Sequence, residues 1–215
     1  MEEVHIPDKS PLENSHKKSG NKKKKTAFSE LFSVVGILIL APLIAVFLTF
    51  FVFQSYVVDG PSMENTLHDQ DRLIVWKASK TLSRITSESF IPDRYSIIVF
   101  KEKGATGTSG ISEKQLVKRV IGLPGDRVVI NDGSLVIYNE QNQNGFYPDR
   151  DTPETANLGS TDGRVDYTVK PGEVFVLGDN RDNSLDSRAF GPIKSEDIIG
   201  TLAVRIYPFD KVQKY

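Results

Sequence analysis

A chain of 215 residues that is 39% hydrophobic and 26% charged can bury one sizeable domain with appendages, and this composition excludes a wholly disordered protein. It contains no cysteine, which removes thiol catalysis, cysteine-ligated zinc and disulfide staples together. The formal net charge of -1 conceals an asymmetry: His16 to Thr26, HKKSGNKKKKT, carries six lysines and no acid, while the chain after Phe53 carries more acids than bases. The basic charge therefore lies off the folded body, which argues against nucleic-acid binding.

Met1 to Thr26 is polar and without apolar periodicity, so it cannot bury enough surface to offset its ordering entropy and is expected to be a disordered basic tail. Residues 27 to 53 are expected to form a membrane anchor. Within them Leu31 to Phe53, LFSVVGILILAPLIAVFLTFFVF, is an uncharged run of 23 residues. At ~1.5 Å per helical residue it spans about 34 Å, enough for a bilayer core of ~30 Å. A buried core helix is a weaker reading because the run has no polar face. A removable secretory signal also begins with basic residues, but its apolar core is usually ~7 to 15 residues and ends at small ones; this run ends in Phe-Phe-Val-Phe-Gln-Ser-Tyr. Pro42, near the middle, is tolerated in lipid with a kink. The flanking lysines put the N-terminus in the cytoplasm by the positive-inside rule. Residues 54 to 215 are then expected on the extracytoplasmic face of the cell membrane.

Beyond the anchor the periodicity changes from helical to strand-like. Asp71 to Trp76, Ser96 to Phe100, Leu116 to Ile121, Arg127 to Ile130, Ser134 to Tyr138, Glu173 to Leu177 and Ile198 to Ile206 are short β-branched or aromatic runs separated by turn residues. The predicted domain is mainly β and antiparallel. Asp132-Gly133 is a two-residue hairpin signal, and Leu123-Pro124-Gly125 suits a type II turn. Lys103 to Lys114 and Asn139 to Asp166 are expected as surface loops.

Three stretches carry candidate chemistry. The first is VVDGPSMENTL, Val57 to Leu67, in which Gly60 and Pro61 favour a bend and Ser62 is either a turn residue or a nucleophile. A serine-histidine-acid triad lacks its histidine: His5 and His16 lie in the tail, and His68 sits six residues from Ser62, where a solvated loop position suits it better. One such histidine without HExxH spacing also makes a poor zinc site, so no metal or other cofactor is expected. Lysine remains as a base, and needs burial to lower a pKa of about 10.4. In LVKRVI, Leu116 to Ile121, alternation sends Lys118 to the face of Leu116 and Val120 and Arg119 to the other. Either that face is core and Lys118 is desolvated, or Lys118 lies at an edge and snorkels to water. The third stretch is GDNRDNSLDSRAFG, Gly178 to Gly191. Its aspartates do not fit a calcium loop, because Arg181 and Ser184 occupy the third and sixth places. The remaining readings are solvated loop charge, or a loop fixed by its own Asp and Arg pairs with Ser184 free to bond a neutral lysine.

Taken in order behind an N-terminal anchor, GPSMENTL, RYSIIVF at 94 to 100, LVKRVIGLPGD at 116 to 126 and GDNRDNSLDSRAFG resemble the bacterial signal peptidase I family of membrane-bound serine endopeptidases, in its compact single-anchor form. The resemblance covers the anchor and the domain from Val57 to Pro208. It implies a β fold shared with self-cleaving repressors, and cleavage of signal peptides from exported preproteins after small-x-small motifs. By position it makes Ser62 the nucleophile and Lys118 the general base, with Ser184 orienting the lysine. Asp186 and Arg188 would form a structural pair, with Asp179, Asn180 and Arg181 shaping the same loop. The Ser62 N–H would donate to the oxyanion. The substrate would lie extended between flanking strands. The implied partners are signal peptides, the lipid bilayer and a nearby export translocon, with a monomeric enzyme and no nucleic acid.

This chain departs from the family pattern at Gly60, where many members carry a hydroxyl; the second oxyanion donor is then either a backbone N–H or missing. Asn65 replaces a usual proline, Tyr95-Ser96 a usual Gly-Asp, and Phe190 a common tryptophan. Two other function classes are weighed. A self-cleaving repressor would need a DNA-binding module in place of the anchor. A catalytically inactive relative that binds signal peptides would not need Ser62, Lys118 and Ser184 together.

Overall fold

The computed structural model describes residues 27–86, 89–103, 113–156 and 158–215. The tail, Met1 to Thr26, and most of the predicted loop between Lys103 and Lys114 lie outside the described residues. The chain divides into two compact units, Met1–Pro42 and Leu43–Tyr215. In the first, the described residues are helical. They belong to α1, Ala27–Phe51, which contains Pro42 and ends in the second unit. Every side chain described on α1, from Ser33 to Thr49 and at Phe51, is exposed, including Ile37, Leu38 and Leu43. Among the described residues no helix is long and apolar enough to cross a membrane.

The second unit is mainly β, as predicted. Its larger sheet has eight strands: β1 (Phe53–Val57), β2 (Arg72–Trp76), β3 (Ile97–Lys103), β4 (Glu113–Gly122), β8 (Glu173–Leu177), β9 (Ile193–Lys194), β10 (Ile198–Tyr207) and β11 (Gln213–Lys214). The order is β1-β2-β10-β3-β4-β8-β9, with β11 on β10. A second sheet runs β6-β5-β7, from Ser134–Tyr138, Arg127–Asn131 and Val165–Thr168 respectively. All pairings are antiparallel. The Asp132-Gly133 hairpin joins β5 to β6 with both residues at positive φ, 51° and 76°, as a primed turn requires. Leu123 O accepts from Asp126 N at 3.0 Å across Pro124 and Gly125, whose φ of 91° fits the type II turn.

Four features differ from expectation. α1 stops at Phe51 and Phe53 opens β1, because Phe53 pairs with Trp76 across the ladder and the two rings meet edge to face at 4.9 Å. Helix α2, Ala78–Thr86, follows β2 and is too short and hydroxyl-rich for its periodicity to stand out in the sequence. The stretch from Asn139 to Asp166 is folded rather than a loose loop: Phe146 bridges to Ile137, α3 spans Pro148–Asp151, and β7 completes the small sheet. Its hydroxyls find partners, Thr155 donating to Pro148 O at 2.6 Å with no exposure. The GDNRDN loop is not held by its own charges alone, as described below.

The core has three parts. One, centred on Ile121, Val128, Ile137, Phe175 and Leu177, joins the small sheet to β8. A second unites Ile98, Phe100, Val120, Val176 and Ile198. The third gathers Val58, Met63, Leu67, Leu73, Ile97 and Leu202 beneath the segment that carries Ser62. Met63 and Leu67 are fully buried, and Leu67 N donates to Met63 O at 2.8 Å, so one helix-like turn roots that segment in the core.

Candidate active site

Ser62 lies in a loop closed at its base like a ladder. Val58 N donates to Asp71 O at 2.9 Å and Gln70 N to Val58 O at 3.0 Å. Inside that base, Gly60, at φ 94°, donates its N–H to Asp69 Oδ1 at 3.0 Å. The Gly60 N–H is therefore engaged by Asp69 and is not free to serve as a second oxyanion donor in this structure. Buried Asp71 accepts from His68 N at 2.9 Å and from Arg205 Nη1 at 3.1 Å, and Arg205 Nη1 also reaches Thr66 O at 2.9 Å. His68 thus contributes its backbone here.

Lys118 enters from β4, 2% exposed. Register pairs it with Ile98 and Leu116 with Phe100, so of the two readings the core face holds, and the amine does not snorkel to water. Its Nζ donates to Ser62 Oγ at 2.7 Å and to Val117 O at 2.9 Å. Burial lowers the Lys118 pKa from 10.5 to about 8, while the charges of Asp186 and Asp179 work against that fall. An amine in this position is neutral in a usable fraction near neutral pH, and its lone pair then faces the hydroxyl it now donates to.

Arg119, on the opposite strand face, is buried too, at 6%. It forks onto Asp179 with bonds of 2.8 and 2.6 Å and caps Tyr95 O at 2.8 Å. Both faces of β4 are therefore covered at this level.

The Gly178 to Gly191 stretch forms the third wall. Asn180 grips the two carbonyls that flank the Ser62 α-carbon: its N–H donates to Ser62 O at 3.2 Å and its Nδ2 to Pro61 O at 3.1 Å. A Cβ on Gly178 would collide with Ser184 Oγ and would come within 2.5 Å of Ser62 O, so glycine is required by close approach. Asp186 is fully buried and caps α4, Ser187–Phe190, accepting from Gly178 N at 3.0 Å and from Arg188 Nε and Nη2 at 2.8 and 2.9 Å. Burial alone would raise its pKa; the Arg188 bonds and the Gly178 N–H outweigh that and hold the carboxyl below the ordinary range. Asp186 and Arg188 thus pair within the loop. Asp179 and Arg181 instead find partners outside it, Arg119 and Asp149, the latter at 2.6 Å. Ser184 Oγ is buried beside Gly178 and faces Asp186, whose carboxyl it helps to hold down, but it makes no well-formed hydrogen bond among the described residues, and the expected bond to Lys118 is not made here.

Among the described residues no group of three or more His, Asp or Glu side chains is placed to hold a metal ion. What the arrangement offers is a hydroxyl, a desolvated amine within hydrogen-bond reach, and two buried carboxylates behind the amine. The β4–β8 ladder begins at Arg119, so β4 from Lys114 to Lys118 pairs only with β3 among the described residues. β1 likewise pairs only with β2. Two open strand edges thus lead to the hydroxyl and the amine. Sequence reasoning missed Asp69, Asp71, Arg205 and Asp149, each a single charge remote from its partner, and the Asn180 grip, which depends on a contact across 119 residues.

Residues 31–207 match the family model described as signal peptidase, peptidase S26. The chain is 32% identical to signal peptidase I of Bacillus licheniformis, over 93% of this chain and 98% of the relative. It is 38% identical to signal peptidase I of Bacillus caldolyticus, over 75% and 84% respectively. A solved signal peptidase I from Enterococcus faecalis V583 matches with 31% identity over 53% of this chain and 98% of its own, at a TM-score of 0.37. By the match of its sequence from Leu31 to Tyr207, this chain belongs to the signal peptidase family, peptidase S26.

Proposed function

We propose that the protein is a membrane-anchored signal peptidase I that cuts signal peptides from exported preproteins after a small-x-small motif, with Ser62 as nucleophile and Lys118 as general base. The observation that carries this reading is the 2.7 Å contact between Lys118 Nζ and Ser62 Oγ, made by a lysine that is only 2% exposed. Neutral Lys118 takes the Ser62 hydroxyl proton as Oγ attacks the scissile carbonyl carbon. The tetrahedral adduct collapses by breaking the C–N bond, and the ammonium returns its proton to the leaving amine. Lys118 then draws a proton from water, which attacks the ester and releases Ser62. The Ser62 N–H donates to the oxyanion. The second donor has to come from elsewhere while Asp69 holds the Gly60 N–H.

Asp186 and Arg188 brace the loop that stands against Ser62, and Ser184 fills the space between that loop and the dyad. Substrate lies extended along the open edges of β1 and β4. The anchor is the apolar helix α1, Ala27–Phe51, with the basic tail, residues 1 to 26, in the cytoplasm and the β unit that begins at Phe53 on the extracytoplasmic face. Supporting this are the uncharged run of 23 residues and the exposed apolar side chains of α1, which bilayer lipid would cover. The enzyme works as a monomer beside the export translocon. The test is cleavage of a preprotein ending its signal in Ala-x-Ala by the detergent-solubilised protein. Ser62→Ala and Lys118→Ala should each abolish it, and unchanged cleavage in either sinks the dyad.

A further inference from the structure

β10 breaks its alternation where it runs beside β2. Leu202 pairs with Val75 and Val204 with Ile74, so Ala203 is an extra residue, a β-bulge. The shift turns Arg205 to the buried side already taken by Leu202 and leaves it 6% exposed. Every nitrogen of its guanidinium is bonded. Nε donates to Lys211 O at 2.9 Å and Nη2 to Gln213 Oε1 at 3.1 Å, while Nη1 reaches Thr66 O at 2.9 Å and Asp71 Oδ2 at 3.1 Å.

Two of these acceptors lie on the strap that follows β10, in which a short 3₁₀ turn, Phe209–Lys211, leads into β11. The strap folds back onto the bulge, where Tyr215 N donates to Ala203 O at 3.1 Å. From there Tyr215 Oη donates to Thr66 O at 3.3 Å. One carbonyl thus receives a donor from β10 and another from the strap, which fills both of its lone pairs.

Thr66 lies at the end of the turn that follows Ser62. Glu64 N donates to Pro61 O at 3.1 Å, and Thr66 N and Leu67 N donate to Met63 O at 2.9 and 2.8 Å. A turn bonded in this way moves as a unit, and its last carbonyls find no partner within it. Whatever holds Thr66 O therefore sets the tilt of the turn, and with it the direction of the Ser62 hydroxyl and N–H. A guanidinium that served only to neutralise Asp71 would not need the other three bonds. We propose that Arg205, seconded by Tyr215, is a positioning residue for the reaction: by holding the Thr66 carbonyl it keeps Ser62 Oγ within reach of Lys118. This rests on the dyad reading above.

The test uses full-length protein in detergent and the Ala-x-Ala preprotein, with the folded fraction read from melting curves. Arg205→Lys keeps a charge opposite Asp71 but loses the fork. A strap variant combining Gln213→Ala with Tyr215→Phe alters two exposed residues only. Arg205→Lys should lower kcat at least about tenfold and the strap variant about threefold, with KM changed less than about twofold in each. A withdrawn Ser62 segment also opens Lys118 to water while Asp179 and Asp186 stay beside it, so the acidic limb of kcat/KM should move up from about 8. Loss of folded protein scales the rate and leaves the limb in place. Rates that only track the folded fraction with an unmoved limb, or variants that cleave like the wild type, overturn the inference. Should Arg205→Lys fail to fold, the strap variant decides by the same two readouts. If Ser62→Ala abolishes cleavage and these variants do not respond, this inference alone falls. If Ser62→Ala still cleaves, the reading beneath it falls with it.

Discussion

A lysine with 2% exposure beside a serine hydroxyl is a costly thing to fold, and its energetics are measurable apart from catalysis. Unfolded, Lys118 titrates near 10.5; folded, at about 8. The folded state therefore binds fewer protons than the unfolded between those values, and stability rises with pH across that window. Below about 8 the full burial penalty stands. Lys118→Met should accordingly raise stability at pH 7, by on the order of 3 kcal/mol, with the gain shrinking toward pH 10.5, as thermal melts would read. Activity carries the same titration: kcat/KM should climb with pH to a plateau whose acidic limb lies at about 8, and a limb near 10.5 would contradict the buried-base model. Gly178 supplies a second residue-scale prediction. With a Cβ coming within 2.5 Å of Ser62 O, Gly178→Ala must push the Ser62 segment away from Lys118, and kcat should fall at least about tenfold with a smaller change in KM. Alternation in LVKRVI was enough to put Lys118 on the face of Leu116 and Val120, but whether that face is core or edge was decided only by the pairing with β3. It carried no information on Arg119, whose burial depends on Asp179 arriving from 60 residues away.

At the scale of elements, the polar stretch from Asn139 to Asp166 serves as a buttress. α3 presents Asp149 to Arg181, whose side chain is 1% exposed, and Arg188 Nη1 donates to Asp162 O at 3.1 Å. The loop that grips Ser62 is thus braced from a segment whose composition resembled loose surface. Asp149→Ala leaves a buried guanidinium without its carboxylate, and should cost about 3 to 5 kcal/mol in chemical denaturation together with a lower kcat. Asp149→Asn, which keeps an acceptor for Arg181, should lose less. Strands were well read wherever β-branched runs stood between turn residues, as in RVVIN and SLVIY around Asp132-Gly133. β7 and α2 were missed because VDYT is only four residues long and ASKTLSRIT is rich in hydroxyls; pairing with β5 and packing on β10 decide them.

For the whole molecule, the proposed division of labour is between an apolar helix that holds the enzyme at the bilayer and a β unit that carries the chemistry. Leu43–Tyr215 forms its own compact unit with three core clusters. Deleting Met1–Pro42 should therefore leave kcat on a short soluble Ala-x-Ala peptide within a few-fold of the full chain. Cleavage of a preprotein embedded in vesicles should drop at least about tenfold, since tethering raises the effective concentration of enzyme at the surface. Equal loss on both substrates would contradict the division.

Local chemistry along the chain was sufficient for the β class, for most strands, for both predicted turns and for an apolar helix ahead of the domain, because periodicity and turn propensity act over a few residues. The order of the motifs was sufficient for the family. Only the tertiary structure brings Ser62 Oγ to 2.7 Å from a lysine 56 residues away, threads Asn180 onto the Pro61 and Ser62 carbonyls, and commits the Gly60 N–H to Asp69. Those contacts join segments that share no local signal. They follow from sheet order and core packing, which place β4, the Ser62 segment and the Gly178 loop around one buried amine.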